Sequence, residues 1–128
     1  MNTIDRYQLA SLYLGWLRRK MRPANSGNMF VFPMPFHLRE SEWLYIYVKP
    51  LLSDYLLLTD NGNTMRHLDV SSLEHSIKSI LRRFNIDLYE GKLEVRTCLH
   101  MFTQKMHCLL QAMLAVDKFL ELQEKNRK

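Results

Sequence analysis

The sequence predicts an α+β domain: an antiparallel sheet of about four to five strands packed against an N-terminal helix, a short middle helix and a long C-terminal helix. Three observations carry this expectation. WLYIYVKP sets Trp43, Tyr45 and Tyr47 against Leu44, Ile46 and Val48, the period of two that marks a strand. Segments at both ends of the chain repeat apolar residues at spacings of three and four, the period of a helix. The strand-like runs follow one another through short polar connections, which suits an antiparallel meander.

Size and composition bound the rest. The 128 residues fit one domain, 1–128, large enough to bury a core without disulfides or a structural metal. With 47% hydrophobic and 24% charged residues the chain lies outside the disordered regime. No apolar run approaches the roughly 20 residues of a membrane span. The longest, MFVFPMPF, is cut by two prolines and has no signal-peptide architecture, so a soluble, cytoplasmic protein with no membrane partner is expected. Cys98 and Cys108, if both lie on one helix, are about 15 Å apart and cannot pair. Free thiols suit a reducing cytoplasm.

The first helix is expected in NTIDRYQLASLYLGWLRRKMR, with Asn2 or Thr3 as its cap, Asp5 in its first turn and Pro23 at its end. Ile4, Tyr7, Ala10, Leu14, Leu17 and Met21 form a core-facing stripe. Leu9, Leu12, Tyr13 and Trp16 widen it enough to imply burial on more than one side. A polar loop, PANSGN, leads into MFVFPMPF, an edge strand if Pro33 and Pro35 turn their missing donors the same way. WLYIYVKP and YLLLT are the next strands. SSLEHSIKSILRRF is a short helix capped by Ser71 or Ser72, with a stripe of Leu73, Ile77, Ile80, Leu81 and Phe84. NIDLYEGKLEVRT is a hairpin turning at Glu90-Gly91.

The last helix, about Leu99 to Lys125, repeats Leu99, Phe102, Met106, Leu109, Met113, Val116 and Leu120 in a heptad-like seam. A second set, Met101, Cys108, Ala112, Ala115, Phe119 and Leu122, lies about 110° round the cylinder. Two apolar faces need two neighbours, so self-association is expected, as a homodimer through the long helix (Phe102, Met106, Leu109, Met113, Phe119) or through the aromatic sheet face.

The order of motifs resembles a known family. YLLLTDNGNTMRHL, then a short helix ending LRRFNIDLYEGKLEV, then a helix carrying HCLLQAMLAVDKFLEL is similar to the uncharacterised bacterial and phage family catalogued as domain of unknown function 1828. The similarity spans roughly residues 29–122, with Leu58, Thr59, Asp60, Gly62, Thr64, Leu68, Arg83, Phe84, Gly91 and Leu93 matching. Members often have glycine where this chain has Asn85, which also tolerates positive φ. The resemblance implies a compact α+β domain of bacteria and their mobile elements; the family has no established activity to carry over.

Few constellations suggest chemistry. Asp60-Asn61-Gly62-Asn63 reads as a turn in which Asp60 accepts backbone amides. A calcium loop would need a bidentate acid at its twelfth position, where this chain has Ser71. His100 and His107, seven apart, cannot grip one ion, Cys108 points about 100° from His107, and His37, His67 and His75 have no paired spacing, so no metal or cofactor is expected. Glu40 and Glu42 read as solvated. Without a nucleophile elbow, phosphate loop or dinucleotide fingerprint, the chain is not expected to be an enzyme.

Net charge of +5 gathers in Arg18, Arg19, Lys20 and Arg22, in Arg82 and Arg83, and in the tail EKNRK. The helix dipole favours cations at helix C-termini, which accounts for much of this. Otherwise these residues are candidates for an acidic partner or phosphates, Arg18 and Arg22 sharing one helix face while Arg19 diverges. Trp43, Tyr45 and Tyr47 could stack on bases or fill an interface, but the simpler expectation packs them under the helices. The leading functional expectation is a protein-binding module of phage or mobile-element type, an inhibitor or regulator of a host defence machine. A basic nucleic-acid-binding protein is the alternative.

Overall fold

The structure is a computed structural model that describes residues 3–39, 43–66 and 71–126. It is α+β: a six-stranded antiparallel sheet with an N-terminal, a middle and a long C-terminal helix. In chain order the elements are α1 (Arg6–Lys20), β1 (Ala24–Ser26), β2 (Met29–His37), β3 (Trp43–Pro50), β4 (Tyr55–Thr59), α2 (Glu74–Arg82), β5 (Asp87–Tyr89), β6 (Lys92–Cys98) and α3 (Phe102–Asn126). The sheet order is β1-β2-β3-β4-β6-β5.

The strand beyond those expected is β1, inside the segment expected to be a polar loop. Gly27, at φ +62°, turns Ala24–Ser26 back onto Met29–Val31. This short pairing also shows how β2 holds two prolines. β1 stops opposite Val31, so Pro33 and Pro35 lie past its end, on a stretch of β2 paired only with β3. A register irregularity follows between Met34 and His37.

Leu44, Ile46 and Val48 of β3, Leu58 of β4 and Leu93 and Val95 of β6 point to one side of the sheet, where all are buried. Ile77 and Leu81 of α2 and Met106, Leu109, Leu110, Met113, Val116 and Leu120 of α3 close over them in a single core. Fully burying such a side chain contributes about 1.5–3 kcal/mol, so this layer is what holds the sheet and the two helices together. The heptad-like seam of α3 is therefore the helix's inward face.

The helix ends depart from expectation. Asp5, not Asn2 or Thr3, caps α1, its carboxylate accepting from the Tyr7 amide at 3.0 Å. Asn2 lies outside the described residues. Neither Ser71 nor Ser72 is the cap of α2: Leu73 occupies that position without a side-chain hydrogen bond, at the end of a 3-10 turn, Ser71–Leu73. A second 3-10 turn, Leu99–Met101, precedes α3 and leaves Leu99 exposed, outside the seam. The hairpin turns at Glu90 (φ +50°) and Gly91 (φ +78°), and Asn85 takes φ +56° after α2. Cys98 ends β6 while Cys108 lies in α3, so they share no helix, and both are free.

The largest correction concerns α1. This helix packs chiefly on β2, and none of its residues is buried. Ile4, outside the helix, and Tyr7, Leu9, Leu12, Tyr13, Leu14 and Trp16 all stand exposed. Only Met21, just past the helix, packs against the core. An apolar stripe shows that a helix can be covered, not that its own chain supplies the cover.

Candidate functional site

The Leu-Thr-Asp-Asn-Gly turn after β4 is built from its side chains upward. Asn61 (φ +56°) and Gly62 (φ +84°) both take left-handed backbone as the chain turns out of β4. Asp60 is fully buried. One carboxylate oxygen accepts from the Gly62 amide at 2.8 Å and the Leu93 amide at 2.9 Å; the other accepts from Thr64 at 3.0 Å. The Asp60 amide donates to the Leu93 carbonyl at 3.0 Å, and Thr59 Oγ1 accepts from the Asn61 amide at 3.0 Å. Asp60 thus ties the turn to the first residues of β6, 33 positions along the chain. A carboxylate whose acceptor sites meet three amides is a structural staple.

A second tie went unpredicted. Arg39 Nε donates to Asp117 Oδ1 at 2.9 Å and Nη1 to Glu124 at 2.7 Å, fixing the segment after β2 onto α3. The Arg39 and Asp117 side chains are only 16% and 12% exposed. An aspartate on the edge of an apolar seam was the available signal. Glu40 and Glu42 lie outside the described residues, as do His67, Leu68, Arg127 and Lys128.

The family assignment follows from this architecture. The family model of domain of unknown function DUF1828 matches residues 34–116, from within β2 well into α3 and including the Asp60 turn. The chain belongs to the DUF1828 family. No curated protein and no solved structure matches it. Helix α1, β1 and the first residues of β2 precede the matched DUF1828 region, so the exposed apolar helix lies outside the part of the chain that the family defines.

The residues proposed from sequence for partner binding do not form one surface. Arg18, Arg19 and Lys20 end α1, which touches β2 near one edge of the sheet; Arg82 and Arg83 end α2, which contacts β5 at the other. All five are exposed, as is Arg22. Helix α1 stops at Lys20 and Met21 (ψ +33°) leaves helical geometry, so Arg22 has no helical register with Arg18. Of the residues proposed for self-association, Met106, Leu109 and Met113 are buried in the chain's own core and offer nothing to a second copy. Phe102 is half-buried against Phe32, with ring centroids 5.9 Å apart. Phe119 and Arg83 meet in an open groove of about 410 Å³ between α2 and α3, with His75, Ser76 and Ser79.

Among the described residues, α1 and one face of the sheet leave apolar side chains uncovered. At 100° per residue the apolar side chains of α1, from Leu12 through Trp16, Tyr13 and Leu17 to Tyr7, span roughly 220°, with Arg18, Ser11, Gln8 and Arg19 on the remaining side. The second surface is the other face of the sheet. Trp43, Tyr45 and Tyr47 point away from α2 and α3, contrary to expectation, because their neighbours Leu44, Ile46 and Val48 fill the core. Trp43 and Tyr45 remain 43% and 36% exposed. The Lys20 ammonium lies 5.9 Å from the Trp16 centroid and 6.0 Å from that of Trp43, linking the end of α1 to this face.

Among the described residues no cluster of three or more His, Cys, Asp or Glu side chains is placed to hold a metal ion. No described helix is long and apolar enough to cross a membrane.

Proposed function

We propose that this DUF1828 protein is a non-enzymatic, cytoplasmic protein-binding module of phage or mobile-element type, a homodimer that inhibits or regulates a host defence machine. The observation that carries the binding role is α1. An exposed helix bearing Tyr7, Tyr13 and Trp16 and ending in Arg18, Arg19 and Lys20 has the residue types that dominate binding energy at interfaces, on the element that fills grooves in partner proteins. A partner groove that is apolar along its floor and acidic at one end fits this helix. The phage and inhibitor parts of the proposal rest on small size and family context.

The test is capture of a partner from host lysate treated with nuclease, by the wild type and by Trp16→Ala and Arg18→Glu/Arg19→Glu variants. Capture that survives nuclease and is lost in both variants, with melting temperature unchanged, supports the reading. Capture indifferent to both refutes it. A specific observation favours the second reading, a nucleic-acid binder: a cation sits beside two tryptophan rings at the end of α1, as on a platform for single strands. In that case nuclease abolishes capture, and affinity for an oligonucleotide falls steeply with salt.

A further inference from the structure

We infer that the uncovered face of the sheet seats a second copy of this chain, two sheets packing face to face in a symmetric dimer. The inference rests on the self-association proposed above and names its surface. Of the two sequence-derived candidates, the long-helix seam is consumed by the core, since Met106, Leu109 and Met113 are buried. The aromatic face is not: Trp43, Tyr45, Tyr47 and Leu57 project from β3 and β4 opposite α2 and α3.

Area and charge argue for a second copy as the occupant. Six strands of three to nine residues, at about 4.8 Å between strands and about 3.3 Å per residue, present roughly 500 Å² of plane, the order of the ~800 Å² of accessible surface each partner gives a standard interface. Closely packed sheets bring their inner rows about 10 Å apart, a gap that aromatic side chains fill. The whole chain carries +5, so a face that meets its own copy needs carboxylates among its cations. On this face the charges are mixed: β6 presents Lys92, Glu94 and Arg96, with Asp87 of β5 opposite Glu94 and Lys49 of β3 opposite Leu57. A symmetric interface must complement itself, and alternating signs around an aromatic centre allow that. The carboxylates Asp87 and Glu94 oppose a phosphate backbone at the β6–β5 end of this face, while Lys20 of α1 stands at its β3 end beside Trp43.

Sedimentation velocity of the full chain at micromolar concentration tests the inference. The wild type is expected to be a dimer and Tyr45→Glu a monomer with an unchanged circular dichroism spectrum. Should Tyr45→Glu not fold, the charge-reversal variants decide. Lys49→Glu/Arg96→Glu should weaken the dimer about tenfold or more, and mixing it with Asp87→Lys/Glu94→Lys should give a heterodimer tighter than either variant's homodimer. A monomeric wild type, a dimer indifferent to both sets, or a dimer dissociated by Trp16→Glu instead would overturn the assignment. So would a monomeric wild type in which Tyr45→Glu abolishes capture of a host protein or an oligonucleotide, since the face would then belong to that ligand. Trp16→Ala should leave the dimer intact while losing partner capture, so either proposal can fail alone.

Discussion

Replacing Asp60 by alanine isolates what the turn after β4 contributes. The carboxylate is fully buried and accepts from the amides of Gly62, Leu93 and Thr64 at 2.8, 2.9 and 3.0 Å. A hydrogen bond to a charged group is worth about 1.5–3 kcal/mol net, and a buried donor left without a partner costs about 1–3 kcal/mol. The Thr64 and Leu93 bonds are buried, whereas the Gly62 amide is partly exposed and can turn to water. Two stranded donors therefore put the loss for Asp60→Ala at about 3–5 kcal/mol, a large share of the 5–15 kcal/mol that a domain has in total. Asp60→Asn, with its oxygen in the place of Oδ1, keeps the Gly62 and Leu93 bonds but turns an NH2 group toward the Thr64 amide, so it should recover only part of that loss. Urea denaturation measures this as a fall in midpoint at unchanged slope. A loss below about 1 kcal/mol, accompanied by loss of partner capture, would refute the reasoning and make the turn a binding loop.

Two further outcomes follow from the packing. Met113→Glu places a charge in the core and should unfold the domain rather than release a folded monomer; a folded, monomeric Met113→Glu by circular dichroism and sedimentation would contradict the core assignment. Asp117→Ala leaves the largely buried Arg39 guanidinium without its nearer carboxylate and should cost about 2–4 kcal/mol, whereas Glu124→Ala, at a site 55% exposed, should cost under about 1 kcal/mol. Equal losses in denaturant titrations would show that burial does not set the difference.

Where a local pattern and its partner were close in sequence, the chain was legible. The alternation of WLYIYVKP became β3, Glu90-Gly91 became the hairpin turn, and the Asp60 segment became a turn in which the aspartate receives amides. What could not be read was which face of an element its own chain covers. Both faces of β3 are apolar, and periodicity treats them alike; the aliphatic row went inward because α3 presents Leu109, Met113 and Val116 to it. The contact between Asp60 and the Leu93 amide and that between Arg39 and Asp117 span 33 and 78 residues, and no local pattern encodes such a distance.

The same blindness explains why site residues scattered. Clusters in sequence, Arg18–Lys20 and Arg82–Arg83, look like parts of one basic surface until topology is known. Strand order sends α1 to β2 and α2 to β5, with β3, β4 and β6 lying between those strands, so the two clusters stand roughly 20 Å apart at ~4.8 Å per strand step. That separation exceeds the ~8–10 Å over which exposed charges act together at ordinary ionic strength. Each cluster therefore has only its own neighbours: Arg18–Lys20 has Trp16 and Trp43 beside the open sheet face, Arg83 has His75 and Phe119 in the groove between α2 and α3. Only the first adjoins exposed aromatic rings on two elements. Binding should therefore respond to changes at the end of α1 and be indifferent to Arg82 and Arg83.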